Sequence, residues 1–116
     1  MAPDAFDLAQ LLTDRTTSTL VSPAIEERLI TRFLEGRAAA GLPVSGDFAA
    51  RYRQCTLQHA LKVIGRFYFL EVVKGKPGYL AYLPAVYDVA RRMFAGLPEL
   101  AAVWKRVVAY TPELAA

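Results

Sequence analysis

The stretch from Gly46 to Val73 constrains this chain more than any other, because it reads as one long helix. Phe48, Tyr52, Cys55, Leu57, Leu61, Ile64, Tyr68 and Val72 recur along it close to the helical period, which gathers them on one face. Ser45 is its N-cap candidate, and Asp47 falls in the first turn, where a carboxylate suits the positive end of the helix dipole. The last two turns, Phe67 to Val73, are apolar nearly all round apart from Glu71, a pattern that predicts burial on several sides.

Four more helical segments surround it, and no alternating strand pattern competes with them. A short one runs from about Asp4 to Leu12, with Phe6, Leu8, Leu11 and Leu12 apolar. Thr13 to Val21 breaks the period and reads as a loop. Ser22-Pro23 is an N-cap followed by proline at the first helical position. Ile25, Leu29, Ile30, Phe33 and Leu34 then form a stripe, with Glu26, Glu27, Arg28 and Arg32 on the other face, until Gly41 and Pro43 end the helix. Gly75-Lys76-Pro77-Gly78 is a turn, followed by a single helical turn over Tyr79 to Tyr82. The helix opening at Pro84 turns Val86, Val89, Met93 and Phe94 inward and Asp88, Arg91 and Arg92 outward, and Gly96 stops it. The last helix starts at Pro98, carries Leu100, Val103, Trp104, Val107 and Val108, and ends at Thr111-Pro112. The expectation is a single all-α unit of about five helices spanning residues 1–116.

Hydrophobic residues make up 54% of the chain, which raises the question of a membrane. The most apolar stretch, Leu57 to Val73, carries Gln58, His59, Lys62, Arg66 and Glu71, so it falls short of the roughly 20 nearly uncharged residues a span requires. The N-terminus, with Asp4 and Asp7 and no basic start, lacks the form of a signal peptide. The single cysteine, Cys55, allows no intramolecular disulfide and fits a reducing cytoplasm. Fourteen basic residues against eleven acidic ones give a net charge of +3, too mild and too scattered to predict a nucleic-acid partner. The remaining expectation is a helical protein with more apolar surface than one small core hides, which predicts contact with another protein surface.

Residues that could do chemistry are few. His59 is the only histidine. With Cys55 one turn away it makes two potential ligands, and a zinc site needs more. The same pair lacks an orienting carboxylate for nucleophilic work, so Cys55 reads as a core residue. Gly75-Lys76-Pro77-Gly78 is no phosphate loop, since Pro77 has no N–H to donate. Asp4 and Asp7 complement the positive start of a helix. Lys62 and Arg66, one turn apart, could clasp an anion but equally suit a solvated face.

Three strings point further. Asp4-Ala5-Phe6-Asp7-Leu8-Ala9-Gln10-Leu11-Leu12 is similar to a Pro-x-x-Tyr-Asp-Leu-x-x-Leu-Leu segment of the aminoglycoside phosphotransferase and choline kinase family. Leu57-Gln58-His59-Ala60-Leu61-Lys62-Val63-Ile64-Gly65-Arg66-Phe67 resembles the Gln-x-x-Leu-Lys-x-Leu-Gly-x-Phe of its bacterial N-acetylmuramate and N-acetylglucosamine kinases. Gly75 to Pro84, and the helix ending near Pro98-Glu99-Leu100, also fit that branch.

The resemblance implies the C-terminal helical subdomain of a kinase-like phosphotransferase. It implies that the nucleotide-binding lobe, the His-x-Asp catalytic loop and the metal-binding Asp would lie before Met1, so that this chain has no catalytic residue, metal ligand or cofactor of its own. ATP and magnesium are expected only for an intact family member. Asp7 would be the structural Asp that braces the catalytic loop. Gln58, Lys62 and Arg66 would sit on the helix bordering the acceptor pocket. Faces that pack on a catalytic lobe in an intact relative would be bare here, which predicts self-association, with no membrane and no nucleic acid involved.

Overall fold

The computed structural model describes residues 5–14, 20–44 and 46–115. The fold is all-α, with α1 at Phe6–Leu12, α2 at Pro23–Ala39, α3 at Phe48–Tyr68, α4 at Leu83–Ala95 and α5 at Ala101–Tyr110. There is no strand among the described residues. Short 3-10 turns at Leu80–Tyr82, Pro98–Leu100 and Pro112–Ala115 join or follow these helices. Among the described residues, no helix is long and apolar enough to cross a membrane.

Local chemistry sets the helix ends. Ser22 Oγ accepts the Ile25 N–H at 3.3 Å, and Pro23 occupies the first position of α2. At the other end Gly41 takes a φ of 68°, the Leu42 N–H bonds Arg37 O at 2.9 Å, and the Gly41 N–H bonds Ala38 O at 3.1 Å. That pair of bonds is a Schellman closure, which satisfies carbonyls the helix leaves open. α3 begins at Phe48, two residues later than expected; Asp47 is its N-cap but contributes no side-chain bond, and Ser45 lies outside the described residues. Asp4 lies outside them too, and α1 opens at Phe6.

α3 is the spine. Its second half and α4 share the larger core, which includes Leu57, Ile64, Phe67, Val86, Met93 and Phe94 and extends to Leu97 and Leu114 beyond α4. Trp104 of α5 closes one side, its ring 5.0 Å from that of Phe94. The first half of α3 meets α1 in a smaller core of Ala5, Ala9, Leu12, Phe48, Tyr52 and Cys55. Ile30, Phe33 and Leu34 of α2 lean on this second core from outside.

Two expectations need correction. Beyond Tyr68, α3 widens into a π turn over Phe69–Val73, with the Lys74 N–H reaching back to Phe69 O at 3.0 Å. Phe67 is buried, but Tyr68, Phe69, Val72 and Val73 are exposed, Val72 to 66%. The apolar end of this helix projects from the bundle rather than entering it, because α4 covers only the flank that carries Phe67. The second correction concerns α2, where Ile25 and Leu29 are 41% and 40% exposed while Glu26 is 6% exposed. Arg92 Nη2 of α4 meets Glu26 Oε2 at 3.4 Å, and that cation is what allows a carboxylate inside.

Candidate functional site

A cleft of about 420 Å³ opens between the C-terminal end of α1 and the middle of α3. Gln10, Thr13 and Asp14 form one wall and His59 and Arg66 the other, over an apolar floor that includes Phe67 and Val86. The walls follow from helix geometry. His59, Val63, Arg66, Phe67 and Leu70 recur at three- and four-residue steps, so one face of α3 looks into the cleft. On the other side α1 stops at Leu12, and the Thr13 hydroxyl donates to Ala9 O, which finishes the helix and leaves Asp14 at the rim.

His59 is the chemically distinctive group. Its side chain is half-buried, and Nδ1 is enclosed without a hydrogen-bond partner. Burial lowers its pKa, the Lys62 ammonium lowers it further, and Asp14 opposes both. The cleft thus presents a largely neutral imidazole, a carboxylate, an amide and a guanidinium around an apolar floor. That set can hold a polar, uncharged or weakly acidic molecule by hydrogen bonds.

Of the residues singled out in the sequence, Arg66 lines this cleft. Gln58 and Lys62 are exposed on α3 outside its lining, and Asp7 is exposed in the first turn of α1, also outside it. Cys55 is buried and faces a different, smaller pocket beside Asp47, Arg51 and Gln54, so Cys55 and His59 do not converge. No group of three or more metal-ligating side chains occurs among the described residues. Two N–H groups of the Gly75–Gly78 turn are spent internally: Lys76 donates to Leu70 O at 3.0 Å and Gly78 to Glu71 Oε1 at 2.7 Å, an oxygen that also accepts from Leu80 just beyond the turn at 3.3 Å. Gly78, at a φ of 97°, makes that geometry accessible.

Sequence reasoning missed Gln10, Thr13 and Asp14 as cleft residues. Their only signal is position, at the end of a short helix and the start of a Ser/Thr-rich loop, and the approach of α1 to α3 is what gives it meaning. No family model, curated protein or solved structure matches this chain. The kinase resemblance rests on its residue strings.

Proposed function

We propose that this chain is a helical wall and not a catalyst: the C-terminal piece of a small-molecule phosphotransferase related to the amino-sugar kinases, inactive alone and lending one side of an acceptor cleft. The observation that carries this reading is the position of Arg66. The helix that the resemblance assigns to the acceptor pocket is the one whose His59 and Arg66 face the α1–α3 cleft. Phosphoryl transfer needs metal, a lysine and a base held around the phosphates, and those parts belong to the lobe that the resemblance places before Met1. ATP and magnesium would bind there.

Titrating the isotopically labelled chain with N-acetylmuramate and N-acetylglucosamine tests the wall. Amide shifts at Gln10, Asp14, His59 and Arg66 are expected, and a titration that moves none of them overturns it. An assay with ATP and either sugar should give no product, and steady turnover would overturn the inactive reading.

A second reading, an independent helical interaction module, is favoured by the bare apolar side chains of Ile25, Leu29, Phe69, Val72 and Val73. Both readings require a neighbour over these faces. For the isolated chain that neighbour would be a second copy. Light scattering should therefore report a dimer or larger species at micromolar concentration, and a strict monomer counts against self-association.

A further inference from the structure

The π turn Phe69–Val73 and the Gly75–Gly78 turn after it form a blunt tip that stands off the bundle. Phe69 is half-exposed, Val72 and Val73 are 66% and 67% exposed, and Lys74, Lys76 and Pro77 beside them face solvent too. The three apolar side chains line neither the α1–α3 cleft nor the pocket beside Cys55. The tip is braced from within, by the Lys76 N–H on Leu70 O and by Glu71 Oε1 under the N–H groups of Gly78 and Leu80. Its shape is set with the apolar side chains already outside.

Charge converges on the same place. Glu71 is the one acidic residue between Asp47 and Asp88, and its carboxylate is engaged in the turn. Residues 62–82 set Lys62, Arg66, Lys74 and Lys76 against it. Of fourteen basic and eleven acidic residues, those four and that one lie here; the remaining ten of each sign cancel, so this segment holds the whole net charge of +3. Lys62, Arg66, Phe69 and Val73 follow one another at steps of four, three and four residues, so cations and apolar tip share one outer line of the helix. Lys74 Nζ lies over the Phe69 ring, 5.6 Å from its centroid, and no carboxylate pairs with Lys74 or Lys76 among the described residues.

We propose that this tip docks on an anionic lipid surface. Phe69, Val72 and Val73 enter the boundary between headgroups and acyl chains, and Lys74 and Lys76 lie on the lipid phosphates. Crossing a bilayer takes about 20 apolar residues, whereas resting on one takes a few exposed apolar side chains beside cations. The contact is therefore compatible with a chain whose described helices cannot span, and it departs from the expectation that no membrane is involved. It rests neither on the kinase resemblance nor on the α1–α3 cleft. A second copy suits this tip poorly, because a two-fold contact here crowds the cations of both copies together. Ile25 and Leu29 on α2, with Glu26, Glu27 and Arg28 around them, carry no such bar. An extended or helical peptide would need a groove, and the tip projects.

Sedimentation of the whole chain with vesicles tests this, using phosphatidylcholine alone and phosphatidylcholine mixed equally with phosphatidylglycerol. Partition onto the mixed vesicles should be about tenfold or more stronger, and raised salt should abolish the difference. Lys74→Gln and Lys76→Gln should each weaken it about fivefold. Val72→Asp and Val73→Asp, at exposed positions that leave the core intact, should each weaken it at least as much, and circular dichroism confirms that the variants are folded. Phe69→Trp should be quenched by lipids brominated on their acyl chains, while Trp104, partly buried against Phe94, should not. Absence of binding to the mixed vesicles overturns the proposal. So does binding that survives the valine substitutions, a Phe69→Trp signal that brominated lipid leaves unchanged, or equal binding to soluble polyglutamate, which would mark an acidic protein as the partner.

Discussion

α2 and α4 look alike in sequence and end up in opposite circumstances. Each has a proline in its first turn and an apolar stripe at helical spacing. α4 buries Leu83, Val86, Tyr87, Val89, Ala90, Met93 and Phe94, whereas α2 buries Glu26 alone. The difference lies in what surrounds them. α4 is covered by α3 on one side, by Leu97 and Leu114 on another, and by Trp104 over Phe94. α2 leans on Phe48 of α3 through Phe33, with ring centroids 5.7 Å apart, and reaches α4 through Glu26 and Arg92. Periodicity tells which side of a helix is apolar; it cannot tell whether anything covers that side.

The largest test of this contrast is a pair of truncations. Phe94→Ala in α4 should cost about 3–5 kcal/mol in chemical denaturation, while Leu29→Ala in α2 should stay within about 0.5 kcal/mol. A Leu29→Ala cost near that of Phe94→Ala would show that α2 is covered in solution. Next comes the one charged contact that holds α2 to α4. Glu26→Ala should cost about 1–3 kcal/mol, less than a fully enclosed pair, since Arg92 remains partly in water. Removing the cap with Ser22→Ala should cost about 1 kcal/mol and lower the helical circular dichroism signal of α2, because one N–H loses its partner.

The smallest effect belongs to His59 and depends on pH. Its folded pKa lies below the ordinary 6.5, so the unfolded chain takes up the proton first as the medium is acidified. The resulting stability is complete above that ordinary value and is lost as pH falls through the folded pKa. Comparing denaturation of the parent chain and His59→Gln between about pH 7.5 and pH 5.5 should show a shallower decline for the variant. Parallel declines would mean that the imidazole is free to protonate in the folded chain.

Legibility in the sequence followed range. Ser22-Pro23, Gly41, Gly96 and Pro98 announce boundaries that the structure places at or beside those residues, because caps and prolines act on their own neighbours. The inward set of α4, Val86, Val89, Met93 and Phe94, was readable for the same reason. Glu26 was not, since its partner stands 66 positions along the chain and nothing near it in sequence marks it as inward. The exposed π turn departs from its pattern, because apolar residues all round a helix normally signal burial and here α4 covers only one flank. In the cleft, Arg66 is marked in the sequence by Lys62 one turn away, whereas His59 has only Cys55 beside it at helical spacing. Gln10, Thr13 and Asp14 acquire their place from the packing of α1 on α3, which no local pattern encodes.

α2 is sealed by Ser22 at its start and by the Gly41 turn at its finish, and it is 17 residues long. Isolated helices begin to hold their shape at about that length, and end closures of this kind suppress unravelling. α2 therefore behaves as a stiff rod resting on a narrow support. A load on its outer side would reach the Phe33–Phe48 contact as a push on the whole rod, not as fraying of its ends.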